Sequence, residues 1–170
     1  MIRIARKEDI DQIMAIVHDT IEDLNREGNY QWDELYPTEE HFLNDIQNHH
    51  LYIIESEDKV AGFICLNQEE DEAYKTVNWR LDAPALVIHR FAIKRDKKRQ
   101  GFGTKLVEFA IRFAKNKGLN YVKVDTNVKN TAMNNLFKKL GFVYVGQVHL
   151  RHVKDPFNCY DYIIEPGDEA

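Results

Sequence analysis

The sequence predicts a mixed α/β fold in which helices flank a central β-sheet, with elements in the order βααβββαβαββ. Three observations predict it. Leu86 to Ile93 and Tyr121 to Thr126 are short, apolar and rich in β-branched residues, the composition of buried strands. Phe102, Leu106, Phe109, Ala110 and Phe113, which follow the first of them, recur at helical spacing. A glycine-bearing turn, Lys98-Arg99-Gln100-Gly101-Phe102-Gly103-Thr104, joins that strand to that helix.

The remaining elements follow from period and punctuation. Ile2 to Ala5 is a short first strand. Ile10, Ile13, Val17 and Leu24 mark an amphipathic helix that ends near Gly28. Tyr30 to Pro37 is an aromatic loop, and Thr38 caps a second helix reaching Asn48. Leu51 to Glu55 and Val60 to Leu66 flank Glu57-Asp58-Lys59 as a hairpin. Asn67 to Pro84 is polar and reads as loop or as a strand extension around Tyr74 to Trp79. The strand and turn already described lead into a helix from Leu106 to Gly118. A strand, a helix and two final strands, Val143 to Leu150 and Tyr160 to Ile164, complete the order. A single domain over residues 1–170 is expected, since 170 residues hold one core and are few for two.

The turn carries the chemistry. Glycines let the backbone close on a ligand, a helix N-terminus presents free N–H groups, and the helix dipole favours negative charge. Arg90, Lys94, Arg95, Lys97, Lys98, Arg99 and Lys105 crowd this stretch with only Asp96 against them, in a chain of net charge -5. A local basic cluster on an acidic chain points to a bound polyphosphate. It does not point to a nucleic-acid binder, which would interleave exposed aromatics and carry a basic overall balance. Two common phosphate motifs fit poorly. One residue separates Gly101 from Gly103, where a P-loop needs four before its Gly-Lys-Ser/Thr. Leu106 stands where a dinucleotide fingerprint has its third glycine.

The block from His89 to Phe142 resembles the core of the GNAT superfamily, the acetyl-CoA-dependent N-acetyltransferases. That family carries Arg/Gln-x-x-Gly-x-Gly/Ala between its fourth strand and third helix. Here the motif reads Lys98-Arg99-Gln100-Gly101-Phe102-Gly103, with Lys98 where Arg or Gln is usual. The strand Tyr121 to Thr126, then Asn130, then a helix closing in Leu136-Phe137-Lys138-Lys139-Leu140-Gly141-Phe142 continue the pattern. The resemblance implies the GNAT fold and direct transfer of the acetyl group of acetyl-CoA to a primary amine. It implies a cofactor held by Phe91, Ala92 and Ile93 of the strand, by Lys98, Arg99, Gln100, Gly101, Phe102, Gly103 and Thr104 of the turn, and by Asn130 and Phe137.

Direct transfer needs a way to remove the ammonium proton, donors for the oxyanion and a proton for the leaving sulfur. The resemblance places the oxyanion donor at the backbone N–H of Phe91 or Ile93. His89 is the candidate base: it shares a strand face with Phe91, its imidazole titrates near neutral pH, and it matches one of two strand histidines of the aralkylamine N-acetyltransferases. A hydrogen-bonded core histidine is the other reading. Phe137 stands where many members carry the tyrosine that protonates the thiolate, so either the thiolate leaves unprotonated or Tyr144, Tyr160 or His149 serves. Asn130 suits both a helix cap and a cofactor contact. Asp125 reads as a backbone-ordering group ahead of a base.

For the acceptor, the resemblance points to Tyr30, Trp32, Tyr36, His149, His152, Phe157 and Tyr160. With Glu22, Asp23, Asp33 and Glu34, these suit a small cationic amine. Trp32 and Tyr36 read equally well as pins between the loop and the core. A catalytically weak acyl-CoA sensor or partner-recognition module is the alternative function, kept open by Phe137. Cys65 and Cys159, in a chain without an export signal, read as free thiols. No stretch approaches the length of an apolar membrane span, and the expected compartment is the cytoplasm. No metal is expected, because His149-x-x-His152 with Cys159 downstream matches zinc spacing poorly. The expected partner is a small-molecule amine, with neither nucleic acid nor membrane, and a homodimer is left open.

Overall fold

The computed structural model describes residues 1–167. Its elements are β1 (Ile2–Ile4), α1 (Ile10–Arg26), α2 (Glu39–Gln47), β2 (Leu51–Ser56), β3 (Lys59–Asn67), β4 (Leu86–Ile93), α3 (Phe102–Asn116), β5 (Tyr121–Asn127), α4 (Thr131–Lys139), β6 (Val143–Val148) and β7 (Phe157–Ile163). The strands form a seven-stranded sheet in the order β1-β2-β3-β4-β5-β7-β6. β4 and β5 run parallel, while β1–β2, β2–β3, β5–β7 and β6–β7 are antiparallel. This is the mixed α/β architecture and the element order expected from the sequence.

Boundaries shift at two places that matter. α3 begins at Phe102, so Phe102, Gly103 and Thr104 form its first turn. β7 begins at Phe157, three residues ahead of the expected Tyr160, because its pairing with β5 extends to Asn127↔Phe157.

The described residues fall into two compact units, residues 1–66 with 89–106, and residues 67–88 with 107 onward; the chain passes from one to the other within β4. In the first unit, α1 and α2 bury Ile13, Ile16, Val17, Phe42 and Ile46 with Leu51, Ile53, Phe63, Cys65 and Ala92. Trp32 belongs to this core, its ring parallel to Phe63 at 6.5 Å. Arg3 grips Asp9 with two bonds of 2.8 Å, fastening β1 to the start of α1 and holding the Asp9 carboxyl below its ordinary range. At Gly62 a Cβ would meet the Ala92 carbonyl oxygen at 2.9 Å and Ile93 Cδ1 at 2.7 Å, so only glycine fits there.

In the second unit, Val87, Val148, Leu150, Phe157 and Cys159 pack with Tyr74. Tyr74 belongs to the segment that the sequence leaves open between loop and strand. It forms a 3-10 turn, Glu72–Thr76, capped by Asp71. Side chains strap it down: Trp79 Nε1 donates to the Tyr74 carbonyl at 2.8 Å, Lys123 Nζ sits 4.5 Å over the Trp79 ring and 3.0 Å from Glu70, and Arg80 binds Asp161 at 2.7 Å. Asp161, fully buried, also accepts from the Tyr121 hydroxyl.

Candidate functional site

The Lys98–Thr104 turn has the geometry of an anion cradle. Lys94 leads into a 3-10 turn, Arg95–Lys97, after which Lys98 is extended, Arg99 is left-handed at φ 65° and Gly101 at φ 85°. Glycine is suited to that backbone, and a Cβ on Gly101 would meet nothing within 4 Å. The Gly101 carbonyl accepts from Lys105 N at 3.0 Å, which makes Gly101 the N-cap of α3. The N–H groups of Phe102, Gly103 and Thr104 therefore lack intrahelical acceptors and carry the positive end of the helix dipole. No acidic residue stands in this first turn. Gln100 Nε2 donates to the Asp96 carbonyl at 3.0 Å and folds the loop back on itself.

The fold sorts the basic cluster that the sequence presents as a block. Arg90 is taken up inside the first unit. Its Nε and Nη2 bind the two Asp45 oxygens at 2.6 and 2.8 Å, and its Nη1 donates to the Tyr36 hydroxyl at 3.0 Å. Burial opposes the Arg90 charge, but the Asp45 bonds more than restore it, and its pKa ends raised. Arg95 binds Asp23 at 2.8 and 3.0 Å and Glu22 at 2.9 Å, tying the turn to α1. Arg99 and Lys105 form no ion pair among the described residues and are the cations left for an anion.

The same contacts revise the expected acceptor residues. Glu22 and Asp23, assigned to a cationic amine, are held by Arg95 and Arg26, with Lys98 at 3.9 Å from Asp23. Trp32 is a core residue and Tyr36 answers Arg90, so both pin the loop as the second reading had it. Phe157 and Tyr160 are buried, whereas Tyr30, His149 and His152 are exposed.

Of the remaining cofactor candidates in the first unit, Phe91 is half-buried and Ala92 and Ile93 are buried on β4, where His89 is also half-buried. In the second unit Asn130 caps α4, its side-chain oxygen accepting from Met133 N at 3.1 Å. Phe137 is buried, its ring 5.2 Å from Phe142 and 6.1 Å from Tyr160. Tyr160 donates its hydroxyl to Asn134 Oδ1 at 2.6 Å, and burial raises its pKa. Tyr144 lies edge-on to Tyr160 and is exposed. Asp125 does not order backbone: its Oδ2 accepts from the Tyr74 hydroxyl at 2.6 Å. Cys65 and Cys159 are free, and burial pushes each thiol up to about 12. Among the described residues no helix is long and apolar enough to cross a membrane, and no group of three or more His, Cys, Asp or Glu could hold a metal ion.

Comparison with known proteins turns this geometry into a family. The model of the acetyltransferase (GNAT) family matches residues 17–142, which include β4, the turn, α3, β5 and α4. The chain belongs to the GNAT acetyltransferase family. The uncharacterized N-acetyltransferase YesJ of Bacillus subtilis (strain 168) is 22% identical over 146 residues, covering 82% of this chain and 79% of that protein. A GNAT-family acetyltransferase from Streptococcus agalactiae superposes with a TM-score of 0.83 at 26% identity, covering 97% of this chain and 95% of that one. YncA of Salmonella typhimurium, solved with its cofactor acetyl-CoA, shares the fold at a TM-score of 0.72 and 16% identity, covering 97% of this chain and 94% of that one. Within this GNAT chain, sequence reasoning missed Gly62, the Arg90–Asp45–Tyr36 cluster and the Arg95 tether. Gly62 alone left a signal, a lone glycine inside an apolar strand.

Proposed function

We propose that this GNAT acetyltransferase moves the acetyl group of acetyl-CoA to the primary amine of a small molecule by direct attack. The turn before α3 carries the reading. Three free N–H groups, the dipole of a 15-residue helix and two cations without an ion pair among the described residues, Arg99 and Lys105, converge on a loop whose Gly101 leaves open space, which suits a pyrophosphate. Acetyl-CoA supplies such a pyrophosphate and an activated acyl group. Lys98, Arg99, Gln100, Gly101, Phe102, Gly103 and Thr104 would hold the phosphates, and the backbone of Phe91 to Ile93 would face the acyl carbonyl. A thiol-release assay with acetyl-CoA across a panel of amines tests the reading, because turnover separates an enzyme from a module that only binds acyl-CoA.

His89 on β4 is the proposed group that handles the amine proton. His89→Ala is expected to lower kcat/KM on the order of a hundredfold near neutral pH, with acetyl-CoA affinity nearly unchanged. The loss should shrink as pH rises and the amine becomes neutral by itself. Wild-type rates at every pH in a folded mutant would return His89 to a packing role.

The thiolate is proposed to leave without a tyrosine acid, since a thiol of pKa near about 8.5 is already a fair leaving group. Phe137→Tyr is then expected to keep kcat within roughly threefold of wild type. Its Tm should fall, because a hydroxyl added in this aromatic cluster costs about 1–3 kcal/mol if it finds no partner. A large loss of kcat in Tyr144→Phe, with acetyl-CoA binding intact, would instead identify Tyr144 as the acid.

A further inference from the structure

The turn between β4 and α3 has no apolar anchor of its own. Ile93 and Leu106 are buried, and no residue between them is. Arg99, at φ 65°, holds a backbone conformation that residues with a side chain seldom adopt. Such a segment keeps one shape only where polar bonds impose it. Lys94 N donates to the Ala61 carbonyl at 2.7 Å and fixes the entry, and Gln100 folds the loop on itself. The firmest fastening to a neighbouring element is Arg95. Its Nε and Nη2 close on the two Asp23 oxygens at 3.0 and 2.8 Å. Nη2 also donates to Glu22 Oε1 at 2.9 Å and to the Asp19 carbonyl at 3.3 Å. Two-point contact with a carboxylate fixes the plane of the guanidinium as well as its charge.

Asp19, Glu22 and Asp23 put negative charge beside a turn that is proposed to take a polyanion, and Lys98 Nζ lies 3.9 Å from Asp23. On charge alone these carboxylates oppose binding. What they provide is a fixed seat for Arg95. We propose that Arg95 is a positioning residue for acetyl-CoA: seated on Asp23 and Glu22 of α1, it holds the Lys98–Thr104 turn in the shape that receives the pyrophosphate. The inference rests on the acetyl-CoA reading above, and it adds a residue that acts through the turn rather than on the ligand. The tether and the turn all lie in the first unit. The Arg95 bond holds the Asp23 carboxyl below its ordinary range, which keeps the seat charged at neutral pH.

Position and charge predict opposite signs at Asp23, and calorimetry with acetyl-CoA on wild type, Asp23→Asn, Arg95→Gln and the double variant separates them. Asp23→Asn removes a negative charge beside the turn. If Asp23 acted by charge alone, acetyl-CoA would bind more tightly to it, and in the double variant the two charge changes would largely cancel. If Asp23 seats Arg95, each single variant should raise Kd about fivefold, the effect of one well-aligned exposed pair. The double variant should then lose no more than either single, because both break the same contact. Unliganded melting temperatures should stay close to wild type, since exposed pairs contribute little to folding. With an amine that the thiol-release panel shows to be turned over, KM for acetyl-CoA should rise by the same factor while kcat stays within about twofold. Tighter binding by Asp23→Asn, unchanged affinity in Arg95→Gln, cancelling effects in the double variant, or a fall in kcat at unchanged KM would overturn this inference alone. A wild type that does not bind acetyl-CoA would overturn the parent reading and this one with it.

Discussion

Arg90→Met is expected to lower the free energy of unfolding by about 3–5 kcal/mol, the largest stability effect foreseen for a single substitution in this chain. Arg90 lies on β4 with its side chain 14% exposed, and Asp45 on α2 is 3% exposed. Their two bonds, 2.6 and 2.8 Å, hold α2 to the strand that carries His89 and Phe91, and the Tyr36 hydroxyl completes the cluster at 3.0 Å. Removing the guanidinium leaves a buried carboxylate without its cation, and that desolvated charge is the source of the cost. The pair is therefore weak evidence of net stabilisation but a strong predictor of fragility. Replacing both partners, Arg90→Met with Asp45→Leu, should recover much of the loss, because no charge is then stranded. Urea unfolding of the two single variants and the double variant measures this. A loss below about 1 kcal/mol in Arg90→Met would place the pair with ordinary surface bridges.

Gly103→Trp is expected to abolish acetyl-CoA binding while leaving the protein folded. Gly103 is the second residue of α3, half-buried beside the open space at Gly101. An indole there fills the room proposed for the pyrophosphate and covers the first-turn N–H groups. Folding should survive, since glycine is the poorer helix former by about 1 kcal/mol or less. At a ligand concentration about a hundredfold above Kd, wild type should gain about 2.7 kcal/mol from acetyl-CoA, and the variant should gain nothing. The wild-type gain should also weaken with added salt, because the cations proposed to meet the phosphates, Arg99 and Lys105, are solvent-exposed. Equal affinities by calorimetry would sink the assignment of the turn.

The order and kind of elements, the glycine-bearing turn between β4 and α3 and the family were all legible in the sequence. Each rests on neighbours in the chain: strand composition over Leu86 to Ile93, helical spacing from Phe102 to Phe113, and two glycines set between them. Glycine at φ 85° and a helix start with no acidic residue are local properties, and local rules found them. The tertiary structure alone decided which charges are available. The seven cations around the turn look alike in sequence, yet Arg90 is spent on Asp45, 45 residues away, and Arg95 on Asp23, 72 residues away, while Lys94, Lys97 and Lys98 lie 3.7, 3.8 and 3.9 Å from Asp96, Glu57 and Asp23, leaving Arg99 and Lys105 without an ion pair among the described residues. Tyr74 and Asp125 were likewise joined across 51 residues by a segment with no period of its own. Pairing between distant charges depends on register and burial, which periodicity does not encode. A carboxylate turned inward takes whatever donor the fold brings to it, arginine at Asp45 and a phenol at Asp125.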